Sequence, residues 1–167
     1  MRVAVKDANI LIDLIESDLL GLWFKLGVET FISDLVQLEI QEESQKKVLK
    51  SFIDAGLLMV EHLTSAEMEA ARIKRDKHRI SIEDASALIL AQKKDAMLLS
   101  GDGTLRKTAK AEGIDVHGVI WVFARLVERA LLTPSDAITK LQALQASGAF
   151  LPQELCDRQI HEWRKRI

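Results

Sequence analysis

The amino-acid sequence predicts an α/β fold, in which a central parallel sheet is flanked by helices. Short β-branched or apolar segments alternate along the chain with longer segments of helical periodicity. This alternation is typical of parallel sheets, whose strands are covered on both faces. The 167 residues suffice for one domain with a hydrophobic core. We assign this α/β unit to residues 1–132, and we expect residues 133–167 to form a helical extension packed on the same domain.

Five segments have the length and composition of strands. They read RVAV, VETFIS, LLMVEHL, AMLLS and IDVHG. Helix signals lie between them: Gly56 follows a periodic segment, as a helix-ending glycine does. Thr64 and Glu67 form a capping-box pattern, and Pro134 occupies the first position of a later helix. The predicted helices span residues 9–27, 34–55, 65–75, 82–94, 103–113, 119–132 and 134–146, with a last one opening near Pro152.

Composition excludes several classes of protein. The net charge of −2 is not that of a globally basic nucleic-acid-binding protein. Cys156 is the only cysteine, so an internal disulfide and a cysteine-rich zinc site are both excluded. No apolar run approaches the roughly 20 residues of a membrane span. Lys6 and Asp7 stand where a signal peptide would be apolar, and we therefore expect a cytoplasmic protein without membrane association.

Two acids follow predicted strands directly. Asp7 comes after the first strand, in VAVKDAN, and Asp102 after the fourth, in LLSGDGT. In open parallel sheets, ligands bind beyond the carboxyl ends of the strands, where the direction of winding reverses. If the first and fourth strands are neighbours there, the two carboxylates lie together. The alternatives are structural: Asp7 could cap the first helix, and Asp102 with Gly103 could form a turn.

Two further acids lie on apolar faces of predicted helices. Glu39 follows Val36 by nearly one turn, and Asp84 shares its face with Leu88. A carboxylate on such a face is costly unless its charge is compensated. The alternatives are that Asp84 belongs only to a helix cap with Ser81 and that Glu39 extends to solvent. Taken as a group, four carboxylates would repel one another unless a hard cation such as Mg²⁺ or Mn²⁺ neutralised them.

The ordered set of motifs resembles that of the PIN-domain nucleases. The matching stretches are VKDANILIDL, SDLVQLEI, SIEDASALILAQ and LLSGDGTLRKTAKAEGI, which together cover roughly residues 1–130. The best known members of this family are bacterial toxin ribonucleases of VapC type. The resemblance implies a three-layer fold with strand order 3-2-1-4-5, which would place the first and fourth strands side by side. The GDG sequence around Asp102 departs from the family pattern, which has a larger residue on at least one side of the acid. The segment 133–167 makes the chain longer than a minimal toxin of the family.

The resemblance also implies a chemistry and a set of residues. One or two Mg²⁺ or Mn²⁺ ions would assist hydrolysis of phosphodiester bonds, mainly in single-stranded RNA. The family's four metal-binding, catalytic acids match Asp7, Glu39, Asp84 and Asp102, and its supporting polar residues match Asn9 and Ser100. In a toxin setting an antitoxin protein would be a partner. A homodimer would bury apolar surface of the helices within 118–146.

Basic residues near two of the acids are candidates for contacts with RNA phosphates. Arg106 and Lys107 lie one turn beyond Asp102. A second group, just before the Asp84 helix, comprises Arg75, Lys77 and Arg79. Such contacts would position RNA without reading its sequence. The alternative is that these side chains are solvated surface charges.

Two other classes of protein fit the motifs less well than a nuclease. A haloacid-dehalogenase-like phosphatase needs an acid two residues after the first, where this chain has Asn9. A phosphoacceptor receiver domain needs an aspartate at the end of the third strand, and LLMVEHL has none. A PIN-like module that binds nucleic acid or protein without cleaving stays an alternative. Of the three tryptophans, Trp23 and Trp121 are predicted to lie in the core, and Trp163 is a candidate for an interface.

Overall fold

The computed structural model describes residues 3–167, and side chains from Asp7 onwards. Its strands are β1 (Val3–Lys6), β2 (Glu29–Ser33), β3 (Leu58–Glu61), β4 (Met97–Leu99) and β5 (Val116–His117). They form a five-stranded sheet with the order β3-β2-β1-β4-β5, in which each neighbouring pair is parallel. The predicted α/β class with a parallel sheet is therefore confirmed.

The direction of winding reverses between β1 and β4. The chain adds β2 and β3 on one side of β1, and then β4 and β5 on the other. Lys6 lies opposite Leu99 in the register, and the backbone N–H of Asp7 donates a hydrogen bond of 3.1 Å to the Leu99 carbonyl. The residues after these two strands therefore leave the same edge of the sheet side by side.

Helices connect the strands and complete the chain. None of the helices in the described residues is long and apolar enough to cross a membrane. The helices are α1 (Ala8–Glu16), α2 (Leu20–Phe24), α3 (Asp34–Glu39), α4 (Glu43–Asp54), α5 (Ser65–His78), α6 (Ile82–Lys94), α7 (Gly103–Ala111), α8 (Val119–Glu128), α9 (Pro134–Ala146) and α10 (Gln153–Arg164).

Two of the predicted helices are wrong in extent, because each is interrupted. The predicted helix 9–27 breaks between α1 and α2, where Asp18 adopts a left-handed conformation with φ of 54°. The predicted helix 34–55 breaks between α3 and α4, where Ile40 is extended and only 1% exposed. Burial of the Ile40 side chain thus takes precedence over a continuous helix. As a result Glu39 is the last residue of a short helix.

Helix α6 is the central helix of the fold. Its residues Ala85–Ala91 are all buried, and it packs against α3, α5 and strands β1, β2 and β4. Ser81 caps its first turn by accepting a 3.0 Å hydrogen bond from the Asp84 backbone N–H. The Ser86 and Ser33 hydroxyls lie 2.6 Å apart and tie the helix to the end of β2. The start of α6 is therefore fixed by the core.

Helices α9 and α10 pack with α8 and bury most of their apolar residues within the chain. Trp163 is only 1% exposed and its ring lies 6.2 Å from that of Phe123, so its assignment to an interface is wrong. Trp23 lies in the core as predicted, whereas Trp121 is only partly buried. Cys156 is fully buried on α10. The division of the chain at residues 132 and 133 stays a prediction.

Candidate functional site

Asp7 and Asp102 each begin a helix at the carboxyl edge of the sheet. The Oδ1 atom of Asp7 accepts a 2.9 Å hydrogen bond from the Ile10 backbone N–H. The Oδ1 atom of Asp102 accepts a 2.7 Å hydrogen bond from the Leu105 backbone N–H. The capping interpretation of Asp7 is therefore correct, and Asp102 caps a helix too. Each cap uses only one carboxylate oxygen, so capping leaves the second oxygen of each residue available.

The second oxygen of Asp7 is buried without a partner. The residue is 2% exposed, and its Oδ2 atom has no hydrogen-bond partner among the described residues. Burial raises the pKa of Asp7 to about 6; the Ser100 side chain and the Ile10 amide lower it, and the charges of Asp84 and Asp102 raise it further. A buried carboxylate oxygen without a donor is costly, unless a cation or a proton satisfies it.

Glu39 and Asp84 join the same group of charges. Loss of hydration raises the pKa of Glu39 to about 7, with added repulsion from Glu83, Asp84 and Asp7, although the side chain keeps solvent exposure. Burial and the charge of Asp102 likewise raise the pKa of Asp84, against a lowering by Ser81. All four predicted acids therefore interact electrostatically, and Glu83 is an additional acid that the sequence reasoning missed.

The side-chain orientations do not by themselves form a completed metal centre. No three His, Cys, Asp or Glu side chains of the described residues are placed to hold one ion. The chemistry of the group nevertheless fits a hard divalent cation, since it offers carboxylate oxygens, mutual repulsion and the unpartnered Oδ2 of Asp7. Binding would require the more exposed carboxylates, such as that of Glu39, to turn towards the buried one.

The two predicted supporting residues are placed differently. Ser100 is fully buried, and its Oγ atom accepts a 3.0 Å hydrogen bond from the Asp102 backbone N–H. Its side chain also lowers the pKa of Asp7, so Ser100 lies between the two capping acids. Asn9 is exposed in the first turn of α1. Ser100 is therefore a structural link within the site, whereas Asn9 stands at its solvent side.

The predicted basic residues fall into two separate groups. The guanidinium of Arg106 lies against Gly118, close enough that a Cβ atom there would come within 3.2 Å of Nη1. Arg106 and Lys107 both line a cleft beside Asp102. The second group lies at the end of α5, where Lys77 and Arg79 are exposed and Arg75 pairs with Asp76 at 2.9 Å. None of this second group lines the cleft.

The cleft itself was missed by the sequence reasoning. It has a volume of about 720 Å³, and its lining comes from α1, α7, α8 and α10 and the loops before α7, α8 and α10. Asp13 lies in it, and burial raises the pKa of this carboxyl to about 6. The signal for Asp13 was its isolation in the apolar run ILIDLI. The cleft as a whole had no signal, because its walls are far apart in sequence.

Solved structures of two other proteins share this fold. The chain is similar to PAE2754 from Pyrobaculum aerophilum, with 14% identity, a TM-score of 0.54, and coverage of 76% of this chain and 90% of that one. It is also similar to VapBC2 from Rickettsia felis, solved with a DNA fragment from its promoter, with 14% identity, a TM-score of 0.50, and coverage of 70% and 98%. A comparison with curated proteins gives no match.

A family model provides the assignment that these distant structures cannot. The model of DUF3368, described as a PIN domain, matches residues 3–165. The match includes the edge of the sheet at which Asp7 and Asp102 lie, and it extends through α10. The chain therefore belongs to the DUF3368 family of PIN domains.

Proposed function

We propose that this chain is a metal-dependent endoribonuclease that hydrolyses phosphodiester bonds, mainly in single-stranded RNA. One observation carries the proposal: the buried Oδ2 atom of Asp7 has no partner among the described residues, yet it lies in a cluster of mutually repelling carboxylates. Such a cluster is destabilising on its own. The cluster lies at the carboxyl edge of a parallel sheet, where ligands bind in such folds. A cation bound there would neutralise the carboxylates and attract an anionic substrate.

The metal would be Mg²⁺ or Mn²⁺, as one or two ions, and its ligands would be Asp7, Glu39, Asp84 and Asp102. A bound divalent ion would lower the pKa of a coordinated water and neutralise charge on the phosphodiester. The helix caps keep Asp7 and Asp102 in fixed positions at neighbouring strand ends. Ser100 holds the Asp102 backbone, and Asn9 would contact solvent-side ligands of the site.

Positive side chains would hold the RNA backbone next to these acids. Arg106 is one turn after Asp102 on α7 and faces the cleft, so it would contact a phosphate adjoining the scissile bond. Lys107, exposed on the same turn, would serve the same purpose. The residues Arg75, Lys77 and Arg79 would contact a more distant part of the strand. These contacts would depend on salt, because each displaces counterions from the RNA.

The resemblance to VapC-type proteins supports a more specific proposal. The chain would be a toxin that acts in the cytoplasm and is bound by an antitoxin protein. A homodimer is part of the same proposal. The apolar surface predicted on the helices within 118–146 is mostly buried inside the chain in α8 and α9, so the dimer would use other surfaces. Light scattering of the purified chain distinguishes a dimer from a monomer directly.

The test compares wild type with Asp84→Asn, and with Glu43→Gln as a control on an exposed helix. The Asn variant preserves the α6 cap, because Ser81 contacts the backbone of residue 84. We expect Mn²⁺ to raise the melting temperature and to bind in titration calorimetry for wild type and Glu43→Gln only. The same two proteins should cleave RNA. If no protein binds Mn²⁺ or cleaves, the chain is instead a non-catalytic PIN-like module that binds nucleic acid or protein.

A further inference from the structure

The C-terminal helix forms one wall of the cleft beside Asp102. Residues of α10 and its preceding loop, including Phe150, Leu155 and Arg158, face the start of α8 across it. Gly101 and Gly103, on either side of Asp102, line the cleft as well. The cleft therefore adjoins the loop that carries Asp102, and the segment after residue 147 contributes directly to its shape.

Three large apolar side chains in the lining of this cleft, Trp121, Phe150 and Leu155, are partly or fully exposed to solvent. Trp121 is only partly buried; its ring stacks on His117, with centroids 4.2 Å apart and an angle of 14° between the planes, and the Arg125 guanidinium lies 5.0 Å from its centroid. Phe150 is 98% exposed, and Leu155 is 42% exposed. A ligand that covers such a group of exposed apolar side chains removes them from water, which favours binding. Flat rings at the surface suit a flat ligand.

The charges that line the cleft are mainly positive. Four cationic side chains contribute, namely Arg106, Lys107, Lys110 and Arg158. Two acids contribute, and one of them, Glu162, is already paired with Lys165 at 2.7 Å. The chain as a whole is slightly acidic, with a net charge of −2, so this excess of positive charge is local. An anionic ligand with flat, stackable groups complements the cleft.

We propose that the cleft binds unpaired nucleotides of single-stranded RNA, with a base stacked against the exposed Phe150 ring next to Trp121 and the backbone held by Arg106 and Arg158. This inference rests on the proposed ribonuclease function and assigns residues 148–164 to substrate positioning. Duplex RNA would bind poorly, since its bases are stacked on each other and unavailable to side chains. A protein segment is less well matched, because the cleft favours an anion.

Asp13 gives the cleft a means of distinguishing bases. Asp13 is one of the residues that line the cleft. Carboxylates accept hydrogen bonds but do not donate them, so Asp13 favours a base that presents N–H donors on its exposed edge. Guanine presents two adjacent donors, N1–H and N2–H, that match the two oxygens of a carboxylate, whereas uracil presents only N3–H between two carbonyls. Asp13→Asn should therefore reduce the preference between guanine-containing and uracil-only strands.

The experiment measures RNA binding without cleavage, in the presence of a chelator. A fluorescein-labelled, unstructured oligoribonucleotide is titrated with wild type, Phe150→Ala and Arg158→Ala. Matched controls are Ile73→Ala, which removes an exposed apolar residue of α5, and Lys47→Ala, which removes an exposed cation of α4. Each cleft variant should weaken binding about 5-fold or more, as loss of one stacking or backbone contact does. The controls should change it less than about 2-fold.

Tryptophan fluorescence supplies a second readout that a folding defect would not imitate. Trp23 and Trp163 are at most 1% exposed, so quenching by RNA reports on Trp121. Unlabelled single-stranded RNA should quench this fluorescence, and the same strand in a duplex should not. The quenching should disappear in Trp121→Phe, whose circular dichroism spectrum should match that of wild type.

The outcomes separate this inference from the ribonuclease proposal. Weakened binding by the cleft variants supports the inference even if wild type with Mn²⁺ never cleaves RNA, which would refute the ribonuclease function alone. If wild type cleaves and the cleft variants bind RNA as tightly as their controls, the inference is overturned. The cleft would then be a binding site for a protein segment. Absence of RNA binding by wild type, or equal affinity for duplex, overturns it too.

Discussion

Asp7 and Asp102 follow the neighbouring parallel strands β1 and β4, one and three residues beyond the paired ends Lys6 and Leu99, and each caps the next helix with a single carboxylate oxygen. Capping and metal binding are often treated as alternative explanations of an acid at a helix start. Here the two are compatible, because one oxygen satisfies the helix and the other stays available. The cap also fixes the side-chain position, which a metal ligand needs. Removal of either acid should therefore affect both helix stability and chemistry.

The first prediction concerns Asp7→Asn. The Asn side chain keeps an oxygen for the Ile10 amide and removes a buried charge next to Asp84 and Asp102. We expect the metal-free protein to become more stable at pH 8, by about 1–3 kcal/mol, since a pKa raised by two units corresponds to roughly that range. Urea denaturation in a chelator measures it. Asp7→Ala is the control, because it removes the charge and the cap together and should gain less. A loss of stability in Asp7→Asn would contradict the repulsion argument.

The second prediction concerns pH. Asp7 and Asp13 have pKa values of about 6, and Glu39 of about 7, each above its ordinary value. A carboxyl whose pKa is raised by folding stabilises the protein below its unfolded pKa, and this contribution is lost as pH rises through the folded pKa. The melting temperature of the metal-free protein should therefore fall between about pH 5 and about pH 8.

The double variant Asp7→Asn, Asp13→Asn provides the comparison for this pH effect. It should show a smaller decrease over the same interval, because two of the responsible groups are gone, while Glu39 still titrates. Addition of Mn²⁺ at pH 8 should restore stability to wild type by mass action if the ion binds. An identical pH dependence in wild type and the double variant would refute the assignment.

The third prediction uses Gly118→Ala. Its φ of −103° is accessible to alanine, and the contact that a Cβ would make at 3.2 Å is with the end of the flexible Arg106 side chain. The melting temperature should therefore change by less than about 2 °C. The displaced guanidinium should bind RNA less well, by about 3- to 10-fold in fluorescence anisotropy at low salt. Gly113→Ala is unsuitable as a control, because its φ is positive; Arg106→Ala is the better comparison and should show an equal or larger loss.

The fourth prediction concerns the two tryptophans whose environments the sequence did not indicate. Trp163 is buried against Phe123, and its replacement by alanine should reduce the free energy of unfolding by about 3–5 kcal/mol, as loss of a buried aromatic does. Trp121→Ala should cost much less, because this side chain is only partly buried. Guanidinium denaturation of both variants tests the difference. Equal costs would mean that α10 is not firmly packed on α8.

The fifth prediction concerns Glu112, which connects three helices. Its carboxylate accepts hydrogen bonds from Lys74 at 2.6 Å and Gln92 at 2.7 Å, and it pairs with His78 at 3.2 Å. Burial alone would raise the pKa of Glu112, but Lys74 and His78 lower it. Glu112→Gln should destabilise the protein by about 1–2 kcal/mol at pH 7, because it weakens charge-assisted contacts that are partly shielded from water.

A control for Glu112 is Glu69→Gln, whose carboxylate pairs with Arg72 on an exposed helix surface. Such exposed pairs contribute little, and no measurable change is expected. The contribution of Glu112 should also decline as pH falls through its lowered pKa, the reverse of the trend for Asp7. Equal effects of the two variants in thermal denaturation would contradict the partly buried network.

The helices and strands were predicted correctly where hydrophobic periodicity or a capping residue marks them in the neighbouring sequence. The strand segments carry apolar residues, and Ser81 and Thr64 form the capping hydrogen bonds that their sequence patterns predict. The two interrupted helices were missed because their breaks depend on tertiary burial. Ile40 is extended because the core receives its side chain, and no pattern of neighbouring residues shows that.

The acids of the candidate site were identifiable because each lies at a strand end or on an otherwise apolar helix face. Their electrostatic coupling depends on the juxtaposition of β1 and β4, which the sequence could suggest only through resemblance. The cleft was beyond local reasoning, since Asp13, Trp121 and Arg158 meet only after α10 has packed on α8. Trp163 was misassigned for the same reason: its helix is polar overall, but one narrow face is buried.

Chemical labelling of Cys156 can report on the packing of α10, the helix that forms one wall of the cleft. The thiol is fully buried on α10, and burial raises its pKa, so a reagent can reach and modify it only when the helix lifts from its neighbours. Because no other cysteine competes, the labelling rate reports the frequency of that opening without any engineered residue. Slower labelling in the presence of RNA would show that substrate closes α10 over itself, which would make the end of the chain a gate to the site.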